Sequence, residues 1–225
     1  FLLDFTKLYL LFGSLIIAAA VWGMMQNPLD RTIIPQRKNM IVRKKYGVFY
    51  FLTFMAGARR QIFLAFAVLL LVQKFKYSVQ EVTILFVVNN MINYYLSPLI
   101  GRSIIRFGER KVLSLEYLSL IFIFAAYAVT GSKLVVAFLY ILDHIFFNFS
   151  IAIRTYFQKV GDPRDVAPTM AVGFTINHIA AVFLPALGGL LWMIDYRIPF
   201  VSGAMMSLVS LIAVQMIRAP VKINA

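Results

Sequence analysis

The stretch GRSIIRFGERK, residues 101–111, is a short basic segment between two long apolar runs. It carries four arginine or lysine side chains and two glycines, Gly101 and Gly108. A helix rises about 1.5 Å per residue, so about 20 mainly apolar residues cross a bilayer, and both flanking runs are long enough to do so. We therefore expect this stretch to form a tight loop at a membrane surface.

The composition of the whole chain agrees with a membrane location. Of its 225 residues, 61% are hydrophobic and only 14% are charged. Membrane-spanning strands alternate apolar and polar residues, whereas FLAFAVLLLV at residues 63–72 is apolar on every face and indicates a helix. The sequence predicts an all-α integral membrane protein with seven transmembrane helices, at residues 5–25, 47–72, 81–101, 112–130, 134–156, 168–191 and 198–217.

The basic residues are unevenly distributed between the loops. Of the 22 lysines and arginines, fifteen fall in one set of alternate loops and five in the opposite set, while Arg59 and Arg60 lie inside a span. By the positive-inside rule, the richer set faces the cytoplasm. We expect a multi-pass protein of the plasma (inner) membrane with a cytoplasmic C-terminus. Because topology accounts for the cations, no nucleic-acid partner is expected.

One connection is longer than the others. Residues 26–46 are basic and are interrupted by Pro28 and Pro35, which predicts a boundary between one helix before it and six helices after it. The sequence starts with Phe1 rather than methionine, and an odd number of spans would place Phe1 outside the cell. We therefore expect the chain to be part of a longer protein.

Polar side chains at mid-depth occur in only four of the seven spans, which we call the polar spans: the second, third, fifth and sixth. Over the six helices after the long loop, the order polar, polar, apolar therefore occurs twice. Secondary transporters use repeated three-helix units around a midplane site, so we expect the polar spans to line a cavity. The alternative for any single amide is a hydrogen bond that only holds the bundle together. The candidate substrate-binding residues are Arg59, Arg60, Asn89, Asn93, Asn148 and Asn177.

The adjacent arginines are the strongest of these signals, because an arginine at the centre of a span costs roughly 2.5 to 3.5 kcal/mol on insertion scales. We expect Asp143 to neutralise one of them and the other to meet an anionic or polar substrate. Glu116 lies nearer the end of its span and is expected to contact the basic loop. Asp143, His144 and His178 are candidate carriers of a coupling proton, although a histidine hydrogen-bonded within the bundle is the alternative.

Several chemistries find no support in the sequence. The chain has no cysteine, which excludes disulfides, thiolate metal sites and cysteine nucleophiles within it. There are no paired carboxylates at one depth, and a metal site made of Asp143, His144 and His178 is not favoured. We expect no catalytic residues, no metal, no cofactor and no enzymatic activity.

The basic stretch resembles the cytoplasmic signature loop of the major facilitator superfamily. Gly101, Arg106, Gly108, Arg110 and Lys111 match that pattern, whereas Ile105 stands at its acidic position. In the family, each six-helix half carries this loop between its second and third helices, where it lies here. The resemblance implies a conformational latch at this gating loop, or a topology anchor where the acidic residue is missing.

The same resemblance implies a division of the chain. Residues 1–25 would be the last helix of an N-terminal half whose remainder lies outside this sequence. Residues 26–46 would be the central cytoplasmic loop, 47–218 the C-terminal half with its 3+3 helical repeat, and 219–225 a cytoplasmic tail. The expected function is secondary active transport of a small solute by alternating access, as a symporter or antiporter, with protons as a candidate coupling ion. The alternative is a complete seven-helix receptor or sensor, although the last span has no lysine for a retinal Schiff base.

Overall fold

The structure is a computed structural model that describes residues 4–26, 35–40 and 42–217. Within these ranges the chain is helical and contains no strand. The eight α-helices are α1 Phe5–Met25, α2 Gly47–Gln61, α3 Val79–Phe107, α4 Glu109–Val129, α5 Lys133–Phe147, α6 Ile151–Val160, α7 Val166–Ile194 and α8 Arg197–Val214. Residues 27–34 of the predicted central loop and the predicted tail 219–225 lie outside the described residues.

These helices make seven membrane spans in the described part of the chain, as the sequence predicted. A 3₁₀ turn, Lys44–Tyr46, leads into α2, and π-helical segments continue α2 to Lys74. The turn Asn148–Ser150 joins α5 and α6 into a single span. All seven spans are long and apolar enough to cross a membrane, so the protein is an all-α, multi-pass integral membrane protein.

The basic stretch is more helical than expected. α3 continues to Phe107 and α4 begins at Glu109, so the predicted loop over residues 101–111 is wrong: a single residue, Gly108, joins the two helices. Its φ of 81° lies in the left-handed region that glycine adopts without steric cost. The Gly108 amide donates to the Ile104 carbonyl at 2.9 Å and closes α3.

The described chain forms two compact units, residues 1–35 and 36–225. In the first unit, α1 is an apolar helix of 21 residues with no buried side chain. The second unit contains α2 to α8. In it, α2 packs on α7 and α8, α5 packs on α3 and α4, and α4 packs on α8.

This packing has the symmetry of a repeat. Each span of the first half has a counterpart in the second: α2 corresponds to α5–α6, α3 to α7, and α4 to α8. The observed α2–α7 contact then corresponds to the observed α5–α3 contact, and α2–α8 corresponds to α5–α4. The α4–α8 contact corresponds to itself, because it joins two equivalent helices. The observed neighbours are thus those of two equivalent three-helix units, in agreement with the predicted 3+3 arrangement.

Two apolar clusters form the core of the second unit. One includes Phe63, Leu70, Phe124, Tyr127 and Phe200, from the end of the unit where α4 stops and α8 starts. The other fills the opposite end, and its larger members are Phe49, Leu52, Tyr117, Ile153 and Phe157. Along α2 and α8, the buried polar residues Arg59, Ser207 and Ser210 lie between the two clusters.

Candidate functional site

Two adjoining cavities lie within the second unit. The first, of about 300 Å³, is lined by residues of α2, α5, α6, α7 and the turn between α5 and α6. The second, of about 280 Å³, lies between the continued α2 span, α3, α5 and α6. They share the lining residues Arg60, Phe147, Ser150 and Arg154. No lining residue comes from α4 or α8, which agrees with the predicted division into polar and apolar spans.

Several of the predicted substrate-binding residues meet at these cavities. Arg60 lines both, Asn177 lines the first, and Asn148 lines the second. The Asn148 amide donates to the Asn93 side-chain oxygen and, at 2.9 Å, to the His144 carbonyl. The structure therefore brings Asn93 of α3 and Asn148 of the α5–α6 span to one place.

Close packing of α2 and α7 positions Asn177. A Cβ atom added at Gly57 would overlap the Asn177 side chain, so the absence of a side chain at Gly57 lets α7 approach. A Cβ at Gly173 would lie 3.2 Å from the Phe49 ring. These two glycines allow the cavity wall formed by α2 and α7 to close tightly.

Arg59 was predicted to bind substrate, but it lines neither cavity. It is fully buried, its guanidinium donates to the Ser210 hydroxyl, and it lies 4.5 Å from the Tyr117 ring centroid. Neighbouring residues on a helix point about 100° apart, so two adjacent arginines face different surroundings.

The predictions that Asp143 neutralises an arginine and that Glu116 contacts the basic loop differ from the observed contacts. Arg59 Nη2 lies 3.6 Å from Glu116 Oε1, and neither side chain is exposed. Glu116 thus meets Arg59 rather than the basic loop, because α4 starts at Glu109 and carries Glu116 two turns into the span. Asp143 is within electrostatic reach of Arg59 but forms no ion pair with the described residues.

The other predicted residues lie outside the cavity linings. Asp143 and Asn89 are buried, and none of their side-chain polar atoms has a hydrogen-bond partner among the described residues. His178 is exposed, and its Nδ1 lies 2.9 Å from the Phe174 carbonyl. Of the proton-coupling candidates, only His144 lines a cavity.

Arg154 lines both cavities, although it is not among the predicted substrate-binding residues. Its position two residues before the predicted end of the span at 156 favoured a topological role for its charge, whereas α6 continues to Val160. Arg154 follows Phe147 by seven residues, about two helical turns, which places it on the same helix face. That spacing is the signal that could have identified it.

Residues of the predicted gating loop contact the ends of α6 and α8. Arg110 donates to the Gln215 side-chain oxygen at 3.0 and 2.8 Å, tying the start of α4 to the end of α8. Glu109 forms an ion pair of 2.6 Å with Lys159 at the end of α6. Gly101 lies within α3 with open space around it, and Arg106, Lys111 and the outward-facing Ile105 are exposed.

A second charged cluster lies at the same end of the unit. Asp165, at the start of α7, is fully buried and accepts a hydrogen bond from the Tyr46 hydroxyl at 3.1 Å. Arg37 and Arg43 approach its carboxylate to 3.2 and 2.7 Å. Residues 36–40 and 42–46, the described end of the predicted central loop, are thereby attached to α7.

Comparison with known proteins identifies the family. The family model described as Major Facilitator Superfamily matches residues 49–223, which run from the third residue of α2 through α8. No curated protein and no solved structure matches the chain. The matched region contains the six-helix unit, both cavities and the basic stretch whose pattern suggested this family. The chain belongs to the major facilitator superfamily, a family of membrane transporters.

Proposed function

We propose that this protein is a secondary active transporter that moves a small solute by alternating access. The observation that carries the proposal is the pair of adjoining cavities, whose walls come only from the polar spans. Polar and charged groups persist in a membrane where they face water or a bound solute. In this proposal Arg60, Asn148 and Asn177 contact the solute, and Asn93 holds Asn148 in position.

The proposal includes the division of the chain. Residues 47–218 act as the C-terminal half, and α1 acts as the last helix of the N-terminal half. The positive-inside rule supports a cytoplasmic C-terminus in a plasma (inner) membrane. The family match favours transport over the receptor alternative and over catalysis, because members of this family are typically transporters.

Cysteine accessibility tests the cavity. The 225 residues contain no cysteine, so a single introduced thiol has no background within them. In the full-length protein in proteoliposomes, Ser97→Cys and Asn177→Cys are expected to react with a membrane-impermeant thiol reagent. Ser207→Cys, at a fully buried position of α8, is the control and is expected not to react. Failure of both cavity cysteines to react from either side would refute a water-filled pathway.

Proton coupling is a separate part of the proposal. His144 faces the second cavity, and Asp143, the residue before it, is buried within reach of Arg59. We expect an imposed pH gradient to drive solute flux in proteoliposomes, and His144→Gln or Asp143→Asn to remove that dependence while solute exchange continues. A flux that is indifferent to the gradient would rule out the proton role.

A further inference from the structure

We propose that the solute is a small organic oxyanion, a carboxylate or a phosphate ester with an apolar body, held by Arg60 and Arg154. This inference rests on the proposed transport function and narrows its substrate class. The two guanidinium groups belong to different spans, α2 and the α5–α6 span, and both line both cavities.

The first argument is the charge balance of the cavities. Neither lining contains an aspartate or a glutamate, and no ion pair in the described part of the chain includes Arg60 or Arg154. Glu116 pairs with Arg59, and Asp143 is buried and lines neither cavity. A guanidinium in a partly desolvated cavity requires a compensating charge. An anionic solute supplies it.

The second argument is that the site is built around fixed groups. The guanidinium of Arg60 lies 5.7 Å from the ring centroid of Phe147, a buried residue that also lines both cavities. Ser150, one turn before Arg154, lines both as well. Thr53 also lines the first cavity, and its buried hydroxyl has no hydrogen-bond partner in the described structure. Hydroxyl donors and two guanidinium forks suit the oxygens of a carboxylate or phosphate.

The third argument concerns the rest of the solute. The wall of the first cavity includes the apolar side chains of Phe49, Ile153, Met170 and Phe174. Phe49 is fixed by stacking on Phe157, with ring centroids 4.3 Å apart. A bare inorganic ion would leave this wall unused. A volume of about 300 Å³ is at the lower end of the range for small-molecule sites, which indicates a compact body such as one ring.

Binding by the purified full-length protein tests the proposal. The probes are benzoate and phenyl phosphate, with benzamide as the neutral control and benzylamine as the cationic control. We expect either oxyanion at millimolar concentration to raise the thermal unfolding temperature and the two controls not to do so. Arg60→Gln and Arg154→Gln should each weaken oxyanion binding by more than tenfold. Arg102→Gln, which removes an exposed arginine outside both cavities, should leave it unchanged.

The outcomes separate the two proposals. Stabilisation by benzoate alone assigns carboxylates, and stabilisation by phenyl phosphate alone assigns phosphate esters. Equal binding of benzamide or benzylamine, no binding of either oxyanion, or unchanged binding in both arginine variants overturns this inference. Reactive cysteines at positions 97 and 177 would leave the transport proposal standing in each of those cases.

Discussion

Arg59 and Arg60 are adjacent in α2 and have opposite surroundings. Arg59 is enclosed between α2, α4 and α8, with Glu116 and Ser210 as partners, whereas Arg60 is exposed to the cavities and rests near Phe147. Both lie at nearly the same depth in the span, so depth alone does not separate a structural charge from a binding charge. The helix face decides between these roles, and the identity of the neighbouring helix decides which partner each arginine meets.

The largest expected effect is the loss of Arg59. Arg59→Met leaves the buried Glu116 carboxylate without its cation, and breaking a buried pair by removing one partner costs about 3–5 kcal/mol. We expect a loss of that size in the free energy of unfolding of the full-length protein in detergent, measured with denaturant. The matched control, Arg60→Met, should change it by no more than about 0.5 kcal/mol.

A double variant makes that comparison more specific. Replacing a buried ion pair by apolar residues of similar size is often neutral, so Arg59→Met with Glu116→Leu should recover most of the lost stability. Equal losses for Arg59→Met and Arg60→Met would contradict the assignment of different roles. A double variant as unstable as Arg59→Met would show that the lost Arg59–Glu116 ion pair does not cause the instability of Arg59→Met.

Asp165 provides an intermediate case, because it is buried while its partners Arg37 and Arg43 are partly exposed. Asp165→Asn keeps the shape but removes the charge that three side chains contact. Hydrogen bonds to charged groups contribute about 1.5–3 kcal/mol, so we expect a loss in that range. Limited proteolysis near residues 36–46 should also become faster. Unchanged stability and cleavage would mean that this cluster does not attach the loop to α7.

Glycine substitutions test the cavity wall. Gly57→Ala places a methyl group against Asn177, and overpacking of this kind typically costs about 1–3 kcal/mol. Gly101→Ala is the control, because it is also helical but has open space around it, and it should be neutral or stabilising by up to about 1 kcal/mol. The readout is the thermal unfolding temperature, and equal effects at both positions would contradict the close α2–α7 approach.

The smallest expected effect concerns pH. The Arg164 amide donates to the Asp162 carboxylate at 3.0 Å and lowers the pKa of that side chain. The bond therefore stabilises the folded state above the unfolded carboxyl pKa of about 4, and this contribution is lost as the pH falls through the lower folded pKa. Asp162→Asn should reduce the decline of the unfolding temperature on the acid side. An unchanged pH profile would exclude this contribution.

The sequence was sufficient for the helical class, the seven spans and the spans that line the cavities, because these depend on composition and on polar residues at mid-depth. It was not sufficient for the rotation of each helix. Arg59 and Arg60 were assigned to the same cavity because a one-dimensional pattern gives depth but not the neighbouring helix. The partner of Arg59 depends on the α2–α4 contact, which joins residues far apart in sequence.

The ends of several helices also differ from the predicted span boundaries. The basic stretch was expected to be a loop because its charges suggested a membrane surface, yet helices continue through all of it except Gly108. Arg154 lay near the end of the predicted span 134–156 and was grouped with the loop cations, whereas α6 continues to Val160 and places it inside the helix. Charged residues near the end of a span do not terminate a helix by themselves, since its backbone hydrogen bonds are satisfied internally.

The attachment at Asp165 has a mechanical consequence. Asp165 and Asn177 are twelve residues apart along α7, about 18 Å by helical rise, with no proline between them except Pro168 in the first turn. This stretch of α7 is stiff, its residues Met170 to Asn177 include part of the first cavity's wall, and residues 36–40 and 42–46 are attached at its start through Asp165. A tilt of α7 at Asn177 would therefore displace Asp165 and the loop residues that are attached to it.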